Sequence, residues 1–152
     1  MLLTAQAFEA EPPASRGLSH AALLRAYAEF TSRQARIVLS VRPAARSEVE
    51  TRLFSKAAQL GSRLRALLGV RRADEAMSVA RALYRMIGVD FRGCGGEFTV
   101  SRCAFAADYS PEVCRLVSSL DSGLFSGLSG GKGLAFTRRI TEGAASCRGA
   151  VT

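Results

Sequence analysis

Apolar residues first recur at helical spacing between residues 19 and 67. Leu23, Tyr27, Phe30, Ile37 and Val38 fall close to one face, which predicts a helix from about His20 to Leu39 with Ser19 as its cap. Arg42-Pro43 ends that helix, because the residue before a proline avoids the helical region. Ser47 with Glu50 three positions on reads as a capping box, in which each side chain satisfies the other's exposed backbone N–H. The second helix that follows carries an apolar stripe of Val49, Leu53, Ala57, Leu60, Leu64 and Leu67, and Gly69 can close it. Arg52, Lys56, Arg63 and Arg65 flank the stripe. A third helix is expected from about Asp74 to Ile87, with Ala76, Ala80, Leu83 and Ile87 inward and Gly88 as its stop.

The pattern changes at Val89. Residues 89–105 are rich in Gly, Val, Thr and Phe and read as one or two strands around the Gly93–Gly96 turn. Ser110-Pro111-Glu112 combines a capping hydroxyl, a proline at the first helical position and an acid in the first turn, so a helix starts there. Val113, Leu116, Val117, Leu120 and Leu124 line its face, and it is expected to fray into residues 126–133. Two last strands, about Leu134–Ile140 and Ser146–Val151, meet as a hairpin around Glu142-Gly143. Residues 1–18, with Pro12, Pro13 and Gly17, read as a flexible leader. The expected fold is α+β in one domain over residues 19–152: N-terminal helices followed by a small antiparallel sheet flanking one further helix. Residues 19–72 form its basic helical part and 73–152 its cysteine-bearing part.

Composition narrows the class. A chain of 152 residues, 48% of them hydrophobic, can bury a core and is not a disordered segment. No apolar run is long enough to span a bilayer, and the N-terminal stretch lacks the basic region of a signal peptide. The reading is therefore cytoplasmic and membrane-free, with cysteines held reduced. The net charge is +8, and the whole excess sits between Arg33 and Arg72, where ten basic residues face only Glu48 and Glu50. Such a segment suits a nucleic acid or an acidic partner, or is simply a solvated helical face. No RNA-binding aromatic motif, zinc finger or helix-turn-helix signal accompanies it, which speaks against nucleic acid. The stripe of the second helix could also pack against a second copy of the chain.

Candidate chemistry gathers late. The cysteines are Cys94, Cys103, Cys114 and Cys147, spaced too widely for a CxxC zinc motif. Cys94, in the glycine turn, reads as structural. Cys103 at a strand end, Cys114 in the first turns of a helix and Cys147 on the closing hairpin can converge in space, as buried small hydrophobes, as reactive thiols or as metal ligands. Cys114 is the reactive candidate, since a helix N-terminus favours the thiolate. Asp121 follows Cys114 by seven positions and so lies on the same helical face two turns on. It reads as a general base, a thiol-orienting acid or a solvated carboxylate. Of Arg138 and Arg139, adjacent on a strand, at most one can reach the side of Cys147 and hold a carboxylate there. His20, the only histidine, lies far away in sequence, which excludes a histidine-rich metal site.

Cys103-Ala104-Phe105, Pro111-Glu112-x-Cys114, Asp121, Phe136-Thr137-Arg138-Arg139 and Glu142-Gly143-x-x-x-Cys147 resemble the L-2-amino-thiazoline-4-carboxylic acid hydrolase-like family over about residues 74–150. Ala104 departs from the Cys-Pro-Phe pattern frequent in that family. The closing Glu-Gly…Cys hairpin is also similar to the end of the vinyl-reductase small-ligand domain. The first resemblance implies a small-molecule hydrolase acting on a cyclic amidine-like C–N bond of a cysteine-derived heterocycle. Cys114 or Cys103 would attack as thiolate, or Cys103, Cys114 and Cys147 would hold zinc or an iron–sulfur cluster. Asp121 would handle the proton, with Arg139 and Glu142 binding substrate. The alternatives are a non-catalytic ligand- or metal-binding module or sensor, and a basic adaptor.

Overall fold

The computed structural model describes residues 1–41, 43–94 and 96–152. Among the described residues six α-helices and four strands follow one another: α1 (Leu2–Phe8), α2 (His20–Val41), α3 (Arg46–Leu67), α4 (Ala73–Met86), β1 (Val89–Cys94), β2 (Glu97–Cys103), α5 (Pro111–Val117), α6 (Ser119–Ser129), β3 (Leu134–Arg138) and β4 (Cys147–Val151). The strands form one antiparallel sheet in the order β1-β2-β4-β3. The fold is α+β, helices first and sheet after, as the pattern implied. Among the described residues no helix is long and apolar enough to cross a membrane.

Several local expectations hold for the reasons given. Ser19 accepts the Ala22 N–H and starts α2. Ser110 accepts the Val113 N–H and starts α5, with Pro111 at the first position. Gly69 and Gly88 stand at φ 65° and 75° just past α3 and α4, a region that only glycine enters without strain. α2 ends at Val41; Arg42 itself lies outside the described residues.

Others need correction. The leader expected to be flexible contains α1, whose Thr4, Ala5, Ala7 and Phe8 are buried. The proline signal is confined to the exposed stretch that follows. The Ser47–Glu50 capping box does not form. A 3₁₀ turn at Pro43–Ala45 runs straight into α3, so Ser47 is already helical, and Glu50 pairs with Arg46 at 3.0 Å. The single helix expected after Ser110 is two helices divided at Ser118, whose hydroxyl bonds back to the Arg115 carbonyl while its backbone stays in the helical region. α6 also runs on to Ser129 before Gly130 stops it at φ 82°, rather than fraying at residue 126.

Two apolar clusters hold the molecule together. One gathers α1, α2, α3 and α5 around Phe8, Phe30, Leu53, Val113 and Leu116. The other packs α4 and α6 against the sheet, around Tyr84, Phe91, Phe98, Phe125 and Leu128. The helices α3 and α6 cross so closely that a Cβ at Gly61, Gly123 or Gly127 would strike the backbone of the facing helix. Along α3, Val49 and Leu53 are buried in the first cluster and Gly61 at this crossing, while Leu67 is 81% exposed. The seam follows the small residues, not the leucines.

Candidate functional site

A row of aromatic rings crosses the inner face of the sheet. Tyr84 meets Phe91 at 4.9 Å, Phe91 meets Phe98 at 5.6 Å, and Phe98 meets Phe136 at 4.8 Å between ring centroids. Phe98 and Phe136 belong to β2 and β3, which are not neighbours; Gly149 of β4 stands between them in register. A Cβ at Gly149 would strike the Phe98 ring, so the missing side chain is what lets the two rings touch. The Arg139 guanidinium continues the row, 4.3 Å from the Phe136 centroid.

Asp121 sits between the two ends of this row. The Tyr84 hydroxyl donates to Asp121 Oδ1 at 2.7 Å, and the Arg139 cation acts on the same carboxylate. Burial nevertheless wins: it pushes the Asp121 carboxyl up to about 6, against the opposing pull of Tyr84 and Arg139. A carboxyl so placed exchanges protons near neutral pH, which suits a general acid or base. Tyr27 and Tyr109 complete the polar interior, so all three tyrosines of the chain lie within reach of the Asp121 charge. Burial pushes the Tyr27 hydroxyl up to about 12, and holds those of Tyr84 and Tyr109 above the ordinary phenol range as well. Tyr27 shares a hydrogen bond of 3.2 Å with Thr4, while Tyr109 pairs with Thr31, whose hydroxyl turns back onto the Tyr27 carbonyl at 2.8 Å.

Cys103, Cys114 and Cys147 converge on this interior, from the end of β2, from α5 and from the start of β4. Each of Cys103 and Cys147 feels Asp121 and Cys114 electrostatically. Their environments differ. Burial pushes the Cys103 thiol up to about 11. Burial also raises Cys147, partly offset by the Ile140 N–H, which donates to its sulfur at 3.3 Å. Cys114 has the Arg139 guanidinium beside its sulfur, Nη1 to Sγ 3.9 Å. Cys94 is exposed at the hairpin end of β1, away from the other three. That exposure gives no support to the expectation that Cys94 is structural.

Arg139 is the hub. Its Nη2 donates to Ser118 Oγ at 3.1 Å, its Nε lies 4.0 Å from Glu142, and its side chain is only 13% exposed. It lies just past β3, at the entry to the 3₁₀ turn Ile140–Glu142, so it turns inward while Arg138 stays exposed. Glu142 is held by Arg115 at 2.8 Å. It therefore anchors the Arg139 turn more directly than it offers a free carboxylate. His20 is exposed and its Nε2 lies 2.8 Å from the Met86 carbonyl at the end of α4. Among the described residues no three His, Cys, Asp or Glu side chains are grouped to hold a metal ion.

Pattern reading missed Tyr84, Tyr109, Thr31 and Ser118. For Tyr84 the signal existed: Ala76, Ala80 and Tyr84 recur every four positions, and α4 buries all three together with Met77. The Ser118 break had no comparable signal, because the serine is legible as an ordinary helix residue. Asp121 and Cys114, seven positions apart across that division, both reach the same interior. Compared with protein-family models, curated proteins and solved structures, the chain has no significant match, so the functional argument rests on its own residues.

Proposed function

We propose that the chain is a small-molecule hydrolase that opens a cyclic amidine-like C–N bond, with Cys114 as nucleophile and Asp121 as proton carrier. The observation that carries this reading is the meeting of Cys114, Arg139 and Asp121 in one interior reached by two further thiols. The Cys114 thiolate, with the Arg139 guanidinium 3.9 Å from its sulfur, attacks the ring carbon between sulfur and nitrogen of a cysteine-derived heterocycle. Asp121, whose carboxyl is pushed up to about 6, delivers a proton to the departing nitrogen, then takes one from the water whose attack breaks the Cys114–carbon bond and releases the thiolate. Arg139 commits one Nη to Ser118 and keeps further N–H groups for a substrate carboxylate. Thr141, beside Glu142, has a buried hydroxyl with no protein partner, a second polar group available to a bound molecule. Cys103, whose thiol is pushed up to about 11, is the poorer nucleophile of the two first considered.

The test is turnover of 2-amino-thiazoline-4-carboxylate, followed by chromatography and mass spectrometry as addition of one water. Cys114→Ala is expected to lower kcat/KM by on the order of a thousandfold or more, and Cys103→Ala by far less. Full activity in Cys114→Ala would sink the thiolate mechanism. Saturable binding of the heterocycle without turnover would instead favour a ligand-binding module.

A further inference from the structure

The sheet has one covered face and one open face. Phe91, Phe98, Val100, Leu134 and Cys147 are buried in the cluster that α4 and α6 build against the sheet. Side chains alternate along a strand, so their neighbours turn to the other face. Among the described residues none on that outer face is buried. Strand pairing sets Arg92 of β1, Thr99 of β2, Arg148 of β4 and Arg138 of β3 in one row across it. The row crosses three strand spacings, about 14 Å. It holds three exposed arginines and no acid. Arg148 stands directly opposite Arg138. Like charges so placed destabilise a sheet. Among the described residues neither takes part in an ion pair that would offset the repulsion. A local conflict of this kind is characteristic of a surface kept for binding.

The positive surface continues past the end of the row. Arg102 pairs in register with Asp90 on the same face. Arg81 and Arg85, one helical turn apart on α4, line a groove of about 550 Å³ together with Arg92 and Arg102. Six arginines thus form one belt, which crosses the open face and turns round the sheet edge into the groove. All six lie outside the basic segment 33–72. Of the two acids on this face, Asp90 and Glu97, the first is engaged by the Ser101 hydroxyl at 2.6 Å and by Arg92 at 3.6 Å. We propose that this belt binds single-stranded nucleic acid through its phosphates, as a function separate from the thiol interior. Guanidinium forks match phosphate oxygens in two-point contacts, and Thr99 adds a hydroxyl within the row. A duplex, stiff over about 50 nm, cannot follow the bend from the face into the groove, whereas a single strand can. The outer face carries no aromatic ring on which bases would stack, so binding does not select sequence. It also exposes no large apolar side chain that would enter a lipid surface.

The probe is a fluorescein-labelled thymidine dodecamer, read by fluorescence anisotropy from about 50 to 200 mM salt. Saturable binding is expected. Its affinity should fall with salt at a logarithmic slope of about 4, since each of the six contacts contributes about 0.7 on a single strand. Arg138→Gln with Arg148→Gln should weaken binding about tenfold or more and lower the slope by about 1.4. The same pair should not lower Tm, because it removes an opposed like-charge pair. Arg33→Gln with Arg36→Gln, exposed on α2, changes net charge equally and should leave affinity within about twofold. The proposal is overturned by any of four results. The dodecamer shows no saturable binding. Both arginine pairs weaken it equally, so that net charge alone decides. A duplex of the same length, a glutamate dodecapeptide or phosphatidylserine vesicles bind as tightly or more tightly. Or Arg138→Gln with Arg148→Gln lowers Tm and leaves binding unchanged, so that the arginines serve the fold.

Discussion

Replacing Asp121 by asparagine should make the protein more stable at neutral pH. The reasoning starts from the Asp121 carboxyl, which burial lifts from an ordinary value near 3.8 to about 6. Its folded form therefore holds a proton more tightly than its unfolded form does. For such a group the stabilising contribution is complete below pH 3.8, and it is lost as pH rises through about 6. A displacement of about two units at ~1.4 kcal/mol per unit sets an upper limit of about 3 kcal/mol on the cost of ionising Asp121 at pH 7. Asparagine carries no charge to desolvate, and its carbonyl can still accept the Tyr84 hydroxyl. It loses only the attraction to Arg139, so a net gain of about 1–3 kcal/mol is expected above pH 7. The gain should shrink to nothing near pH 4, where both side chains are neutral. Urea titrations from pH 4 to 8, followed by circular dichroism because the chain has no tryptophan, measure the difference between variant and parent. Subtraction cancels the other titrating groups. A difference that is flat with pH, or an asparagine variant less stable at pH 8, would refute the account. The same variant should lose turnover of the heterocycle, which separates a residue kept for chemistry from one kept for stability.

Tyr84→Phe removes a hydrogen bond that lowers Asp121, so the carboxyl should titrate above 6, as read by carbon-13 NMR of labelled aspartate; a downward move would contradict the assignment. Gly127→Ala forces a Cβ onto the Ala58 carbonyl oxygen at the α3–α6 crossing and should cost about 1–3 kcal/mol or more, seen as a fall in Tm; an unchanged Tm would mean the crossing can open freely. Iodoacetamide at pH 8 should label exposed Cys94 first and Cys103 and Cys147 last, because burial raises both thiols, Cys103 to about 11; peptide mass spectrometry gives the order, and labelling of either before Cys94 would count against this account.

Much of the architecture was legible in the chain. Periodicity located α2, α3 and α4, and Ser110-Pro111-Glu112 marked the start of α5 through local capping chemistry alone. The switch from helical spacing to Gly, Val, Thr and Phe at Val89 announced the sheet. These signals survive because each depends on neighbours within one turn or one strand. The same locality explains the errors. Residues 1–8 were read as loose because their partners lie on α3 and in a cluster formed by distant helices. The leucine stripe of α3 was followed too far because close approach of α6 depends on Gly123 and Gly127, some sixty residues on.

The candidate site divides in the same way. Sequence alone named Cys103, Cys114, Cys147, Asp121 and Arg139 as groups capable of chemistry, since residue type and element boundary suffice for that. Only the tertiary structure decided their states. A carboxyl at about 6 and a thiol at about 11 arise from desolvation by side chains on other elements. The inward turn of Arg139 rests on Phe136, Ser118 and Glu142 together. Burial and charge act through space, and the positions that supply them need share no stretch of chain.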